Sequence, residues 1–265
     1  MNYTVKQIEQ RLQTISDEND PFIKQCAQDE RKGVQALLKK WNKKIQQEKK
    51  DRIRFENMSI YEKEARNQGF SFVAGIDEVG RGPLAGPIVA SAVMLPEDIY
   101  LPGLDDSKKL TIKKREALYD QIQQSAISIG IGIVSPEEID RYNIYEATKK
   151  AMLDALQQLK PFPDYLLIDA MELVTPIPQR SLVKGDAKSI SIASASVIAK
   201  VYRDRIMLNY HKQYPQYHFD KNSGYGTKEH LKALHQFGPT PIHRKTFSPI
   251  KEMVEDSLFT YREDE

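Results

Sequence analysis

Apolar positions change their spacing along this chain at about residue 70. Over residues 1–70 the pattern is helical, with no strand-like alternation, and Asp20 followed by Pro21 supplies an N-cap and a first helical residue. Within that stretch, RKGVQALLKKWNKKIQQEKKDRIR (31–54) sets Val34, Leu37, Leu38, Trp41 and Ile45 at helical spacing, which predicts a helix with one apolar face. From Phe70 onward the apolar runs are short and punctuated by Gly and Pro. FSFVAGID (70–77), PIVASAVML (87–95) and AISIGIGIV (126–134) read as three strands in a meander. Helical spacing returns at about 144–159, 188–213 and 227–237, interleaved with two further strand candidates, DYLLIDA (164–170) and QRSLVKGD (179–186). Three successive strands followed by helix–strand alternation predict an α/β domain over 71–265, a mixed central sheet flanked by helices, preceded by a helical extension over 1–70. The start of the chain and the acidic tail YREDE read as frayed.

Composition adds bounds. With 265 residues, 40% hydrophobic and 29% charged, the chain has material for one full core and a small appendage. MNYTVKQIEQ lacks the apolar centre of a secretory signal and no window is long enough to span a bilayer, so a cytoplasmic protein without membrane contact is expected. A single cysteine, Cys26, excludes an internal disulfide. The five histidines show no Cys/His ligand spacing, so any metal should be bound through oxygen. The net charge of +2 conceals an asymmetry, because residues 1–70 hold 15 of the 39 Lys and Arg but 11 of the 37 Asp and Glu. Ten basic residues against two acidic ones fall within 31–54, which makes the polar face of that helix basic. Such a face is either a solvated surface on a helix that packs Trp41 onto the neighbouring domain, or an attractor of phosphate.

Three strand candidates end in acid: FVAGID at Asp77 with Glu78 next, YLLID at Asp169, and SLVKGD at Asp186. Strand ends in a layered α/β domain can converge, and four carboxylates around one cleft repel one another unless a cation sits between them. Their oxygens suit Mg²⁺ or Mn²⁺. Taken singly, an acid after a strand is also an ordinary turn former or helix N-cap, and Asp186, directly ahead of a helical segment, has the strongest claim to that role. Gly80-Arg81-Gly82 is no nucleotide-triphosphate loop, since Pro83 follows at once and G-x-x-x-x-G-K-[ST] is absent. Glycines there let the backbone approach a ligand's sugar while Arg81 reaches a phosphate. Lys108 and Lys109 in DDSKKL, Lys184 in LVKGDAKS and Tyr225 in SGYGTKEH fit the same nucleic-acid picture, although loop lysines are commonly just solvated. KSISIASASVIAKVYRDRI reads first as a Ser/Ala-rich helix packed tightly on the sheet, with Lys200 and Arg203 able to project toward the groove.

Together, AGIDEVGRGPLAGPIVA, LDDSKKL, LLIDA, VKGD, IASASVIAKVYRD and GYGT followed by HRKTFSPI resemble bacterial ribonuclease HII, a type 2 ribonuclease H, in consistent order over residues 72–250. The resemblance implies a ribonuclease H-like fold and a metal-dependent endonuclease. Such an enzyme cuts the RNA strand of RNA–DNA hybrids and duplex DNA at single embedded ribonucleotides, leaving 3′-hydroxyl and 5′-phosphate ends. It implies Asp77, Glu78, Asp169 and Asp186 as catalytic ligands of two divalent ions, Mg²⁺ or Mn²⁺. By the same resemblance, Gly80, Arg81 and Gly82 read a ribose 2′-hydroxyl through their backbone and Tyr225 packs against that sugar. Lys108, Lys109, Lys184 and Lys200 are then expected as phosphate contacts. The related ribonuclease HIII is expected to replace the arginine of this loop, so Arg81 and Tyr225 place the chain with ribonuclease HII. A non-catalytic hybrid reader would most simply lack one of the acids, and a junction resolvase has no need to sense a 2′-hydroxyl. The resemblance says little about residues 1–70 or about a replication clamp as a partner, and a monomer is expected by default.

Overall fold

The computed structural model describes residues 3–260, with side chains through 255; the first two residues and the tail YREDE, read above as frayed, lie outside the described residues. The chain forms two compact units, Met1–Glu56 and Asn57–Glu265.

The first unit contains helices α1 (Val5–Leu12), α2 (Pro21–Ala27) and nearly all of α3 (Lys32–Met58). Asp20 caps α2 as its residue type predicts, accepting a hydrogen bond from the Phe22 amide at 2.7 Å ahead of Pro21. On α3 the periodic residues Val34, Leu38, Trp41 and Ile45 are buried against Ile8, Leu12, Phe22, Ile23 and Cys26. Lys39, Lys40, Lys43 and Lys50 lie exposed on the same helix. Trp41, for which packing onto the neighbouring domain was the plainer expectation, is a core residue of its own unit, and its Nε1 donates to the Ile15 carbonyl at 2.9 Å.

The second unit opens with α4 (Ile60–Asn67), a helix inside the stretch expected to be the extension. It is built around strands β1 (Val73–Val79), β2 (Ile88–Met94), β3 (Ser128–Val134), β4 (Tyr165–Asp169) and β5 (Gln179–Leu182), in the order β3-β2-β1-β4-β5. The pairs β1/β2 and β2/β3 are antiparallel, which is the expected meander, and β1/β4 and β4/β5 are parallel, which makes the sheet mixed. Its helices are α5 (Ile112–Ser125), α6 (Pro136–Tyr142), α7 (Ile144–Leu156), α8 (Ile190–Gln213), α9 (Phe219–Asn222), α10 (Lys228–Phe237) and α11 (Ile250–Thr260). The helical spacing predicted α7, α8 and α10 but gave no sign of α5, because only Leu118 and Ile122 of that helix are buried. No described helix is long and apolar enough to cross a membrane.

Helix α7 contributes Ala147, Ala151, Met152 and Ala155 to the main core, against Ala74 and Ile76 of β1 and Ala90, Ala92 and Met94 of β2. Side chains alternate along a strand, so Gly75 and Asp77 face away from that core. There α8 lies directly on β1. A Cβ at Gly75 would stand 2.1 Å from the Ser191 backbone, so only glycine permits the approach. Every residue of helix α8 over Ile190–Ala199 is buried, and all are small or apolar, the serines placing their hydroxyls in hydrogen bonds.

Candidate active site

The parallel register of β1 and β4 pairs Ile76 with Ile168 and thereby sets Asp77 abreast of Asp169. Asp77 and Glu78 are not at the end of their strand. Pairing with β2 continues through Glu78↔Ala90 and Val79↔Val89, which the polar side chains of the segment did not announce. Strand β5, by contrast, stops at Leu182, earlier than expected, and Asp186 sits in a single 3₁₀ turn, Gly185–Ala187. That turn is drawn to β4 by the Gly185 amide, which donates to Asp169 Oδ1 at 2.6 Å. Asp186 does not cap α8. The cap is Ser189, whose hydroxyl accepts from the Ile192 amide at 3.1 Å, because the 3₁₀ turn spends the residues between.

The electrostatics register the crowding. Burial, then the charges of Glu78 and Asp169, push Asp77 well above the ordinary carboxyl range, against bonds from Ser196 and the Glu78 amide. Glu78 is raised by burial against the pull of Arg81, whose guanidinium stands 3.6 Å away, with Asp169 adding to the rise. Asp186 is raised by burial, Asp106 and Asp169, against Lys108. The Glu78 Oε2 atom is buried without a hydrogen-bond partner. Among the described residues no three His, Cys, Asp or Glu side chains stand ready to hold a metal ion as they are placed. Donor chemistry nevertheless fits a hard divalent cation: every group is a carboxylate, the four acids outnumber the two cations beside them, Arg81 and Lys108, and one oxygen is unsatisfied.

Beside the acids runs the glycine loop. Gly80 has φ +98, and a Cβ there would lie 2.4 Å from Arg203 Nε. Arg203 and Arg244 are fully buried beneath the loop and donate to backbone carbonyls. Arg244 holds the carbonyls of Gly80, Arg81 (2.8 Å) and Gly86 (2.9 Å). Arg203 holds those of Pro87 (2.9 Å), Ala85 (3.1 Å) and Ser223 (2.9 Å). Burial lowers Arg203 to about 10 and Arg244 to about 9, the second helped by the first, so both stay charged at neutral pH. The loop is also stitched to the next segment, the Leu84 amide donating to the Gly224 carbonyl at 2.8 Å. This brings Tyr225 to the loop: a Cβ on Gly82 would be 3.6 Å from the Tyr225 ring, which is 46% exposed.

A family model described as Ribonuclease HII matches residues 74–250, and a second, described as Ribonuclease HII N-terminal domain, matches residues 4–66. The ribonuclease HII of Geobacillus sp. (strain WCH70) is 59% identical over 253 residues, covering 96% of this chain and 91% of that protein. The chain belongs to the ribonuclease HII family. It is therefore an enzyme of the ribonuclease H class, an endoribonuclease of RNA–DNA hybrids. Among solved structures, the ribonuclease H2 from Pyrococcus horikoshii OT3 superposes with a TM-score of 0.60 at 28% identity, over 70% of this chain and 98% of that one. Ribonuclease HII from Archaeoglobus fulgidus, solved in complex with PCNA, gives a TM-score of 0.59 at 26% identity, over 67% of this chain and 96% of that one. The mixed sheet with flanking helices is thus the ribonuclease H-like fold that the resemblance implied.

A cleft of about 540 Å³ begins at Glu78, which alone of the four acids lines it, and carries Lys108, Arg115, Lys200 and Tyr225 on its walls. Burial works against the charge on Lys108, but Asp186, Asp77 and Asp106 outweigh it and raise the ammonium. Lys200 lies on the cleft wall with its Nζ 2.6 Å from Asp204. Lys109 is exposed and stands near Asp105 (3.7 Å) and Asp106 (3.9 Å), while Lys184 is exposed on the left-handed residue (φ 57) preceding the Asp186 turn. Arg203 does not project toward the groove as expected. It falls one turn after Ala199 on the buried face of α8, so its side chain runs beneath the loop. Sequence reasoning also missed Ser107, whose hydroxyl meets that of Ser196 at 2.9 Å and fixes the Lys108 loop to α8 next to Asp77. A serine in a lysine-rich loop carries no signal of this.

Proposed function

We propose that this enzyme hydrolyses the RNA strand of RNA–DNA hybrids and also incises duplex DNA at single embedded ribonucleotides, leaving 3′-hydroxyl and 5′-phosphate ends. It does so with two divalent ions, Mg²⁺ or Mn²⁺, held by Asp77, Glu78, Asp169 and Asp186. The observation that carries this reading is a crowded set of carboxyls beside a backbone loop and an exposed tyrosine ring, in which Asp77, Glu78 and Asp186 are each raised by burial and by the charge of Asp169. When bound, such ions activate the attacking water and neutralise charge on the leaving oxygen. The chain's own part is positioning. Gly80, Arg81 and Gly82 offer backbone to a ribose 2′-hydroxyl, and the Tyr225 ring packs on that sugar, which sets the phosphate that follows against the acids. Lys108 and Lys200 in the cleft, with Lys109 and Lys184 outside it, hold phosphates without reading sequence. The basic face of α3 adds long-range attraction to the same duplex.

The test compares a DNA duplex carrying one ribonucleotide with its all-DNA twin, in Mg²⁺ or Mn²⁺. The wild type should cut only the first, and Asp77→Asn and Asp169→Asn should slow that cut by about 100-fold or more. Equal cutting of the all-DNA twin would overturn the ribose reading, and a near-normal rate in both variants would overturn the carboxylate assignment.

A further inference from the structure

We infer that His230 and His243 are positioning residues for Tyr225, acting through a hydrogen-bond relay whose direction the surrounding backbone dictates. The inference rests on the proposed role of Tyr225 against the ribose. Both imidazoles are buried, at 0% and 1% exposure, and their Nε2 atoms face each other at 3.0 Å. Two ring nitrogens at that distance bond only if one carries a proton and the other does not.

The backbone decides which. His243 Nδ1 accepts from the Thr240 amide at 2.9 Å, and the Thr240 hydroxyl lies 2.8 Å from the same nitrogen. A backbone N–H can only donate, so His243 Nδ1 is bare and the proton of this ring sits on Nε2. His243 Nε2–H therefore donates to His230 Nε2. The proton of His230 is then on Nδ1, which donates to the Tyr225 carbonyl at 2.9 Å. The chain runs from Thr240 through both rings to Tyr225, and a second proton on either ring removes an acceptor it needs.

The surroundings keep the pair neutral and in place. Burial lowers His230, and burial together with His230 lowers His243 to about 4. Phe219 meets His230 edge-on at 5.3 Å between ring centres, and Tyr217 lies 5.1 Å from His243. Tyr225 itself needs such a fixture. Its ring is half exposed, so its place over the loop depends on its backbone, where the amide donates to the Asn222 carbonyl at 2.9 Å and the carbonyl receives the Thr227 amide at 2.8 Å. His230 adds a bond from a buried ring on α10 directly to the Tyr225 carbonyl.

The test is a double-mutant cycle on the full-length enzyme, reading kcat and KM on a single-ribonucleotide duplex. His230→Phe keeps a ring but cannot donate, and should lower kcat about tenfold or more with KM changed less than about twofold. In a Tyr225→Ala background the same substitution should have little further effect, since no ring remains to misplace. His230→Asn, whose amide nitrogen falls near the position of Nδ1, should recover most of kcat. Multiplying effects of His230→Phe and Tyr225→Ala would overturn the inference and leave His230 a packing residue. Unchanged kcat in Tyr225→Ala would instead overturn the reading of Tyr225, and the inference with it. Should His230→Phe fail to fold, the cycle is run with His243→Phe, which strips His230 Nε2 of its donor and frees the tautomer to invert.

Discussion

Asp77 sits where a negative charge is least favoured, 5% exposed on a central strand and abreast of a second aspartate. Such an arrangement costs stability in the folded chain. Asp77→Asn should accordingly raise stability by about 1–3 kcal/mol in a divalent-free buffer while it abolishes cleavage. Thermal melting in chelator checks the first part, and added Mg²⁺ should then raise the wild-type Tm but not that of the variant. His243 gives the opposite sign. Its folded pKa of about 4 lies below the usual 6.5, so between those values the unfolded chain binds the proton first. The stability it supports is present above about pH 6.5 and is lost as pH falls toward 4, by up to about 3 kcal/mol. His230 shifts the same way, whereas the raised carboxyls of Asp77, Glu78 and Asp186 favour the folded state on acidification. Urea denaturation at stepped pH isolates the His243 contribution: relative to wild type, His243→Gln should lose slope in that window. Parallel curves would mean the ring is not held neutral.

At the scale of elements, α8 organises the site. Its first turn lies on β1, Ser196 reaches Asp77, and Arg203 supports the glycine loop. What anchors the start of this helix is a carboxylate from α4. Glu62 Oε1 accepts from the Ser191 amide at 3.0 Å and from the Ser189 and Ser191 hydroxyls at 2.5 Å each. A helix N-terminus presents unpaired amides and partial positive charge, which favours an acid there. Glu62→Ala should cost about 2–4 kcal/mol, because it leaves several buried donors unmet, while Glu62→Gln, which keeps an acceptor, should cost less. Chemical denaturation distinguishes the two, and equal losses would mean that shape rather than hydrogen bonding is at stake. Helix α4 was legible as a helix, but its place in the catalytic unit was not, since the partners of Glu62 and Glu64 lie more than a hundred residues further along.

Over the whole molecule, positive charge is concentrated in the first unit. On α3, Lys44 pairs with Glu48 at 3.7 Å and Lys49 with Glu18 at 2.5 Å, while Lys39, Lys40, Lys43 and Lys50 stand exposed. Replacing those four with Gln should flatten the plot of log affinity against log salt by up to about 0.9 for each phosphate that α3 no longer neutralises, with kcat at saturating duplex unchanged. An unchanged slope would reduce the basic face of α3 to a solvated surface.

Apolar periodicity and residue type are local properties, and they were enough for the meander, for α3 with its buried stripe, and for α7, α8 and α10. They could not settle where pairing stops, so β1 ran on past Asp77 and the cap of α8 passed from Asp186 to Ser189. Nor could they find supports whose partners are remote. Arg244 and Gly80 are 164 residues apart and Ser107 and Ser196 are 89 apart, and although both Arg244 and Ser107 fall inside recognisable motifs, nothing next to them in the chain names a partner. Even His230, five residues from Tyr225, takes its tautomer from Thr240 through His243. The chain by itself determined the elements and the family to which it belongs. Burial, charge state and proton position are properties of what surrounds a group, and only the folded arrangement of distant segments decided those.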